Sequence, residues 1–129
     1  MPPIETLQRL PQYHLDALNR QGIFTTGLLL EVSETPTRRQ YLADQIGATT
    51  NDVNEWRDEA LLLNLANFGA QEQYLFAQAG IVGLADLLRY SLDEFRMTIF
   101  RAARSLRVTP PDDLVVEGWW QQAHTLVEE

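Results

Sequence analysis

Arg101, Arg104 and Arg107 recur at intervals of three in a stretch that reads as helix, which sets three guanidinium groups along one side of it. A guanidinium donates through a planar fork that meets carboxylate or phosphate oxygens two at a time. The trio is therefore a candidate contact for an acidic protein partner or for phosphates. The competing reading is a solvated face whose charges pair with Asp112, Asp113 or Glu94. Trp120 is the second candidate contact. It adjoins Trp119, and successive helical residues point about 100° apart, so both indoles cannot enter one core. Trp120 is thus either half-buried or a contact residue, and tryptophan is enriched where interfaces are strongest.

Catalysis finds no constellation. His14 and His124 lie far apart in the chain and neither has the spacing of a metal pair such as H-E-x-x-H. The acidic pairs Asp58-Glu59 and Asp112-Asp113 are adjacent, hence splayed around a helix, and suit capping or solubility better than acid–base work. The chain has no cysteine, which removes disulfides, thiolate metal sites and thiol nucleophiles together. No Gly-rich phosphate loop occurs. The expectation is a non-enzymatic protein without cofactor or metal.

Charge narrows the partners. The net charge is −8, and a mean negative field repels nucleic acid and anionic lipid. All ten basic residues are arginine, so the diffuse lysine charge of nonspecific DNA binders is missing. The segment from Arg89 to Arg107 nonetheless holds five arginines against Asp93 and Glu94. One basic helix on an acidic body is the expected distribution, and another protein the expected partner. No apolar run approaches the roughly 18 residues that span a bilayer, so no membrane insertion is expected. The start lacks a basic and apolar leader, which makes the cytoplasm the expected compartment.

Those residues must be positioned by helices. At 129 residues, with 45% hydrophobic and 22% charged, the chain has material for one domain with a core, and is too short for two independent ones. Ile4, Leu7 and Leu10 outline a short helix, and Pro11 suits the start of a second that ends at Gly22. Thr25 or Thr26 caps the helix with Leu28, Leu29 and Leu30. Thr35-Pro36 opens the next, with Tyr41, Leu42 and Ile46 inward and Gly47 as its stop. Thr50 caps a helix whose Val53, Trp56, Ala60 and Leu63 form an apolar stripe. After a tight turn over 64–69, helices follow from Ala70 to about Ala79 and from Ile81 to Tyr90. Ser91-Leu92-Asp93-Glu94 is a capping box opening the arginine helix, with Phe95, Ile99, Ala102, Ala103 and Leu106 inward and the arginines outward. Adjacent Pro110 and Pro111 break it from a last helix at about 112–127. The reading is all-α, eight or nine short helices, with no strand.

The chain also repeats itself. Val53, Trp56, Ala60 and Leu63 match Val116, Trp119, Ala123 and Leu126 after 63 residues, and Gly22-Ile23 with Leu29-Leu30 match Gly80-Ile81 with Leu87-Leu88 after 58. An ordered series of matches points to two copies of one supersecondary unit, about 4–63 and 64–127, within a single domain over 1–129. Trp56 and Trp119 are the expected core anchors of the two copies.

In the second copy, Leu65-Ala66-Asn67-Phe68-Gly69 precedes a helix closing on Leu75, Phe76, Ala79, Gly80 and Ile81. This resembles the helix-hairpin-helix motif. Leu7-Gln8-Arg9-Leu10-Pro11, with Leu18, Gly22 and Ile23, follows the same frame in the first. From about Leu7 to Leu126 the chain resembles a duplicated helix-hairpin-helix family described as domain of unknown function four-three-three-two. Gly22-Ile23-Phe24-Thr25-Thr26, Arg38-Arg39 with Leu42-Ala43 and Gly47, and Trp119 with Gln122-Ala123 carry the likeness. The resemblance implies a compact fold of two pseudo-symmetric halves, distantly related to DNA-binding helix-hairpin-helix proteins, and no activity. It also implies an ancestral phosphate site at each hairpin. Here Arg9 and Pro11 replace both glycines of the first hairpin, and only Gly69 remains in the second, where Asn67 can adopt the left-handed conformation. Asn67 and Gly69 are therefore the remaining phosphate candidates, and Glu72 on the following helix would repel the ligand. Two readings stand: a protein-interaction or scaffolding module, and, as the alternative, a nucleic-acid-associated protein using the second hairpin with the arginine helix.

Overall fold

The computed structural model describes residues 2–128; Met1 and Glu129 lie outside them. Among the described residues the regular structure is helical, one 3-10 turn and eight α-helices, with a lone backbone bridge between Pro3 and Thr25. The chain divides into two compact units at the Asn64–Leu65 junction.

The first unit opens with the 3-10 turn Ile4–Thr6 and continues through α1 (Gln12–Arg20), α2 (Thr26–Val32), α3 (Pro36–Ile46) and α4 (Thr50–Leu63). Hydroxyl caps fix where the last three begin. Thr25 Oγ1 accepts from the Leu28 N–H at 3.1 Å and Thr35 Oγ1 from Arg38 N–H at 3.2 Å. Thr49 and Asp52 cap each other's backbone reciprocally at the head of α4. Gly47 ends α3 in the left-handed region (φ 72°), which lets the Ala48 N–H reach the Ala43 carbonyl at 2.9 Å. Helix α4 packs against α2 and α3. Leu18, Leu29, Ala43, Val53, Trp56 and Ala60 are buried between these helices.

In the second unit come α5 (Ala70–Gln78), α6 (Leu84–Leu88), α7 (Leu92–Leu106) and α8 (Asp113–Glu128). Glu72, Asp86 and Glu94 each accept from the backbone N–H that precedes its own helix, and Ser91 returns a hydroxyl acceptor to Glu94 N–H. Helix α5 packs on α7, and α8 lies against both α6 and α7. The core is aromatic: Phe76 meets Phe68, Phe95 and Trp119 edge-on, with ring centroids 4.9, 5.8 and 5.2 Å apart.

Several expectations need correction. The first helix does not reach Leu10. Leu7 is already extended (ψ 124°), because the N–H groups of Gln8 and Arg9 turn toward a side chain of α4 rather than toward helical carbonyls. Tyr41 is 65% exposed, and the inward face of α3 consists of Ala43 with the expected Leu42 and Ile46. Helix α6 is confined to Leu84–Leu88, since Asp86 draws in the N–H groups of Val82 and Gly83 and so fixes its start. The arginines of α7 are not uniformly outward, for Arg96 is only 26% exposed.

Candidate functional site

The cationic run divides in two. Arg96 is held by three carboxylates: Asp93 Oδ1 at 3.4 Å, Asp113 Oδ1 at 2.8 Å and Glu117 Oε2 at 3.4 Å. Arg101, Arg104 and Arg107 are exposed and form no ion pair among the described residues. Asp113, one of the partners they were expected to take, is committed to Arg96. Asp112 serves the backbone instead, its Oδ1 accepting from Leu114 N–H at 2.9 Å. Glu94 is likewise engaged in the cap of α7, and the Ser91 backbone N–H and hydroxyl hold its carboxyl below the ordinary range.

Arg107 ends α7 in the left-handed region at φ 58°, with the Val108 N–H closing onto the Ala103 carbonyl at 3.0 Å. That conformation carries the chain away toward Pro110 and Pro111. A groove of about 960 Å³ opens within the second unit between this connector and the start of α5. Arg107, Val108, Asn67, Glu72, Tyr74 and Trp119 are among its lining residues. Asn67 stands at φ 60°, the left-handed geometry its short amide side chain tolerates. Two of the sequence candidates, Asn67 and Arg107, thus share one groove.

Gly69 is the N-cap of α5, and its N–H donates to Glu72 Oε1 at 3.0 Å. The neighbouring Ala66 is tied at both ends, its N–H to Gln122 Oε1 (3.0 Å) and its carbonyl to the Trp119 indole N–H (2.8 Å). Within the turn, Ala66 and the Gly69 N–H therefore spend these polar groups inside the second unit. Trp120 is half-buried. Its indole N–H donates to the Tyr90 carbonyl at 2.9 Å, and its ring lies 4.0 Å from that of His124.

Two residues escaped the sequence reading. Its place beside Asp58 suits Glu59 to capping or solubility, yet it is 1% exposed. Its Oε2 accepts from Gln8 N–H at 2.6 Å and its Oε1 from Arg9 N–H at 3.0 Å, while Asp58 pairs with the Arg9 guanidinium at 3.0 Å. The available signal was spacing: Glu59 follows Trp56 by three and precedes Leu63 by four, on the buried face. Arg57 is the other. Its guanidinium donates to the Leu30 carbonyl (2.9 Å) and Ser33 Oγ (2.7 Å) at the end of α2. Burial, then the neighbouring Arg39, pulls it below the ordinary guanidinium range, with Glu34 opposing. Among the described residues no cluster of His, Asp or Glu side chains converges as a metal set, and no helix is long and apolar enough to cross a membrane.

The family described as Domain of unknown function (DUF4332) matches residues 9–126. The chain belongs to this family. Comparison with curated proteins and with solved structures returns no match. The matched range spans residues of both units of this DUF4332 chain and takes in the eight α-helices of the described residues apart from the last residues of α8.

Proposed function

We propose that this chain is a non-enzymatic protein-interaction module built from two helix-hairpin-helix units, and that its contact face is the cationic end of α7 with the adjoining groove. The observation that carries the reading is the division of the arginines: Arg96 is neutralised by three acids, whereas Arg101, Arg104 and Arg107 are exposed with no acid partner among the described residues. Three unneutralised guanidiniums on a chain of net charge −8 suit a partner presenting a local acidic patch more than a polyanion, which the rest of the surface repels.

The repeat reading draws support from detail. Each unit has four α-helices, and the unit junction falls beside the repeat boundary. Gly22 and Gly80 both adopt positive φ, and the N–H groups of Ile23 and Ile81 close onto Leu18 and Phe76 carbonyls respectively. In each unit the turn before the first helix receives a side chain from the last helix, Glu59 in one and Gln122 in the other.

The test is a charge reversal of the trio, Arg101→Glu, Arg104→Glu and Arg107→Glu together, compared with Arg20→Glu in the first unit as a control. Quantitative affinity capture from the native cell should lose its major protein partner with the triple variant and keep it with the control. Retention of every captured protein by the triple variant overturns the reading.

One observation favours a nucleic-acid role as the alternative: Asn67 and Arg107 line the same groove. Labelled DNA or RNA titrated at about 50 and 200 mM salt separates the two, because phosphate contacts impose a steep loss of affinity with salt. Binding that falls steeply with salt and vanishes in the triple variant selects the alternative; flat, negligible binding at low salt removes it.

A further inference from the structure

We infer that the Gln8–Arg9 turn is an oxyanion site whose resident ligand is the chain's own Glu59 carboxylate. Two consecutive backbone N–H groups converge on the two oxygens of one carboxylate, one donor to each, at 2.6 and 3.0 Å. Successive amides aimed at one point make an anion-binding concavity, and paired donors on paired oxygens give the stronger, charge-assisted bond. The positive charge of Arg9 stands beside the site, with its guanidinium 3.0 Å from Asp58 Oδ2.

Burial shows that the carboxylate is a built component rather than a chance contact. Glu59 is 1% exposed and sits on the same α4 face as Trp56, Ala60, Leu62 and Leu63, all buried. A carboxylate removed from water to that extent persists only where fixed donors replace its hydration. The turn supplies them, and in return the segment between Leu7 and Pro11 is pinned to α4. The second unit offers the contrast. There the turn presents Ala66 N–H, on an exposed residue, to the neutral Gln122 amide oxygen. One exposed N–H is satisfied by a neutral acceptor; two converging on a buried point hold an anion.

The ligand class is a small oxyanion, either a carboxylate such as formate or a phosphate. With Glu59 in place the site is closed to external ligands, so this turn takes no phosphate from solution. Removing the side chain vacates it. This inference concerns α4 and the first turn alone and stands or falls independently of the partner proposed above.

Glu59→Ala should lower the melting temperature. Sodium formate at about 100 mM should then raise it by about 2–5 °C above sodium chloride at equal ionic strength, as binding to the folded state alone requires. Neither the parent protein nor Leu62→Ala, a cavity variant of the same helix, should respond to formate. Equal responses in Glu59→Ala and Leu62→Ala, or no formate response in Glu59→Ala, overturn the inference. Should Glu59→Ala fail to fold, amide exchange in the parent protein decides: Gln8 and Arg9 N–H must exchange at least an order of magnitude slower than an unstructured peptide. Exchange at the unstructured rate overturns the inference. Phosphate titrated onto Glu59→Ala under the same conditions ranks the two oxyanions: the larger shift in melting temperature marks the one that the vacated site prefers.

Discussion

The Nε of Arg96 stands 2.8 Å from Asp113 Oδ1, a contact that joins α7 to the first turn of α8. The approach is ionic rather than a linear hydrogen bond, since Nε has no well-aligned acceptor. This pair, reinforced by Glu117 and Asp93, neutralises Arg96. It engages Asp113, an acid the sequence offers as a partner for the downstream arginines, while Arg101, Arg104 and Arg107 are exposed and form no ion pair among the described residues.

Removing Arg96 should therefore cost stability where removing Arg104 does not. Isolated surface pairs contribute little, but a half-buried arginine shared by three acids is expected to contribute about 1–2 kcal/mol. Urea unfolding of Arg96→Ala should show that loss and should show less of it at high salt. Arg104→Ala should stay within about 0.5 kcal/mol of the parent.

Arg107 separates fold from the proposed binding. A non-glycine residue at φ 58° carries a backbone penalty that glycine avoids. Arg107→Gly should leave stability unchanged or raise it by up to about 1 kcal/mol, while weakening capture of the partner. A matched substitution in the other direction, Gly47→Ala at φ 72°, should destabilise by about 1 kcal/mol. Thermal melts of both variants check the pair.

The neighbouring tryptophans should differ in cost. Trp119 is 2% exposed, surrounded by Phe68 and Phe76, and bonded to the Ala66 carbonyl, so Trp119→Ala should lose about 3–5 kcal/mol. Trp120 is half-buried with one hydrogen bond and one ring contact, and Trp120→Ala should lose about 1–2 kcal/mol. Denaturant titration of the two variants measures the difference. Equal losses would place Trp120 in the core.

Acid should weaken the helix starts. The carboxyls of Asp52 and Glu94 are held below their ordinary values of 3.8 and 4.5, in each case first by backbone hydrogen bonds at Thr49 and Ser91. A carboxyl whose folded pKa is depressed stabilises the fold above its unfolded pKa and loses that contribution as pH falls through the folded one. The parent melting temperature should drop as pH falls below about 5, and Asp52→Asn with Glu94→Gln should flatten that drop. An unchanged slope in the double variant would assign the acid sensitivity to other carboxylates.

Much of the architecture was legible because it is local. Thr35-Pro36 and Ser91-Leu92-Asp93-Glu94 announce helix starts through atoms within one turn of the chain, and the caps lie at those residues. The 3-4-3 spacing of Val53, Trp56, Ala60 and Leu63 sets one helix face, and all four are buried. Tyr41 misled because hydrophobicity alone does not orient a residue at the margin of such a face.

Sequence by itself determined the helical class, the starts at Thr35-Pro36 and Ser91, and the stripe from Val53 to Leu63, since propensity, capping and periodicity act over a few residues; the cap of α4 is Thr49 rather than Thr50, and α6 begins at Leu84 rather than Ile81. Tertiary structure alone decided which charges are spent. Glu59 reaches amides fifty residues away, and Asp113 and Glu117 reach Arg96 across a helix pair. Whether a carboxylate or guanidinium is neutralised within the fold or left for a partner depends on distances of a few ångströms between segments remote in the chain, and Coulomb attraction at such range follows the fold rather than the order of residues.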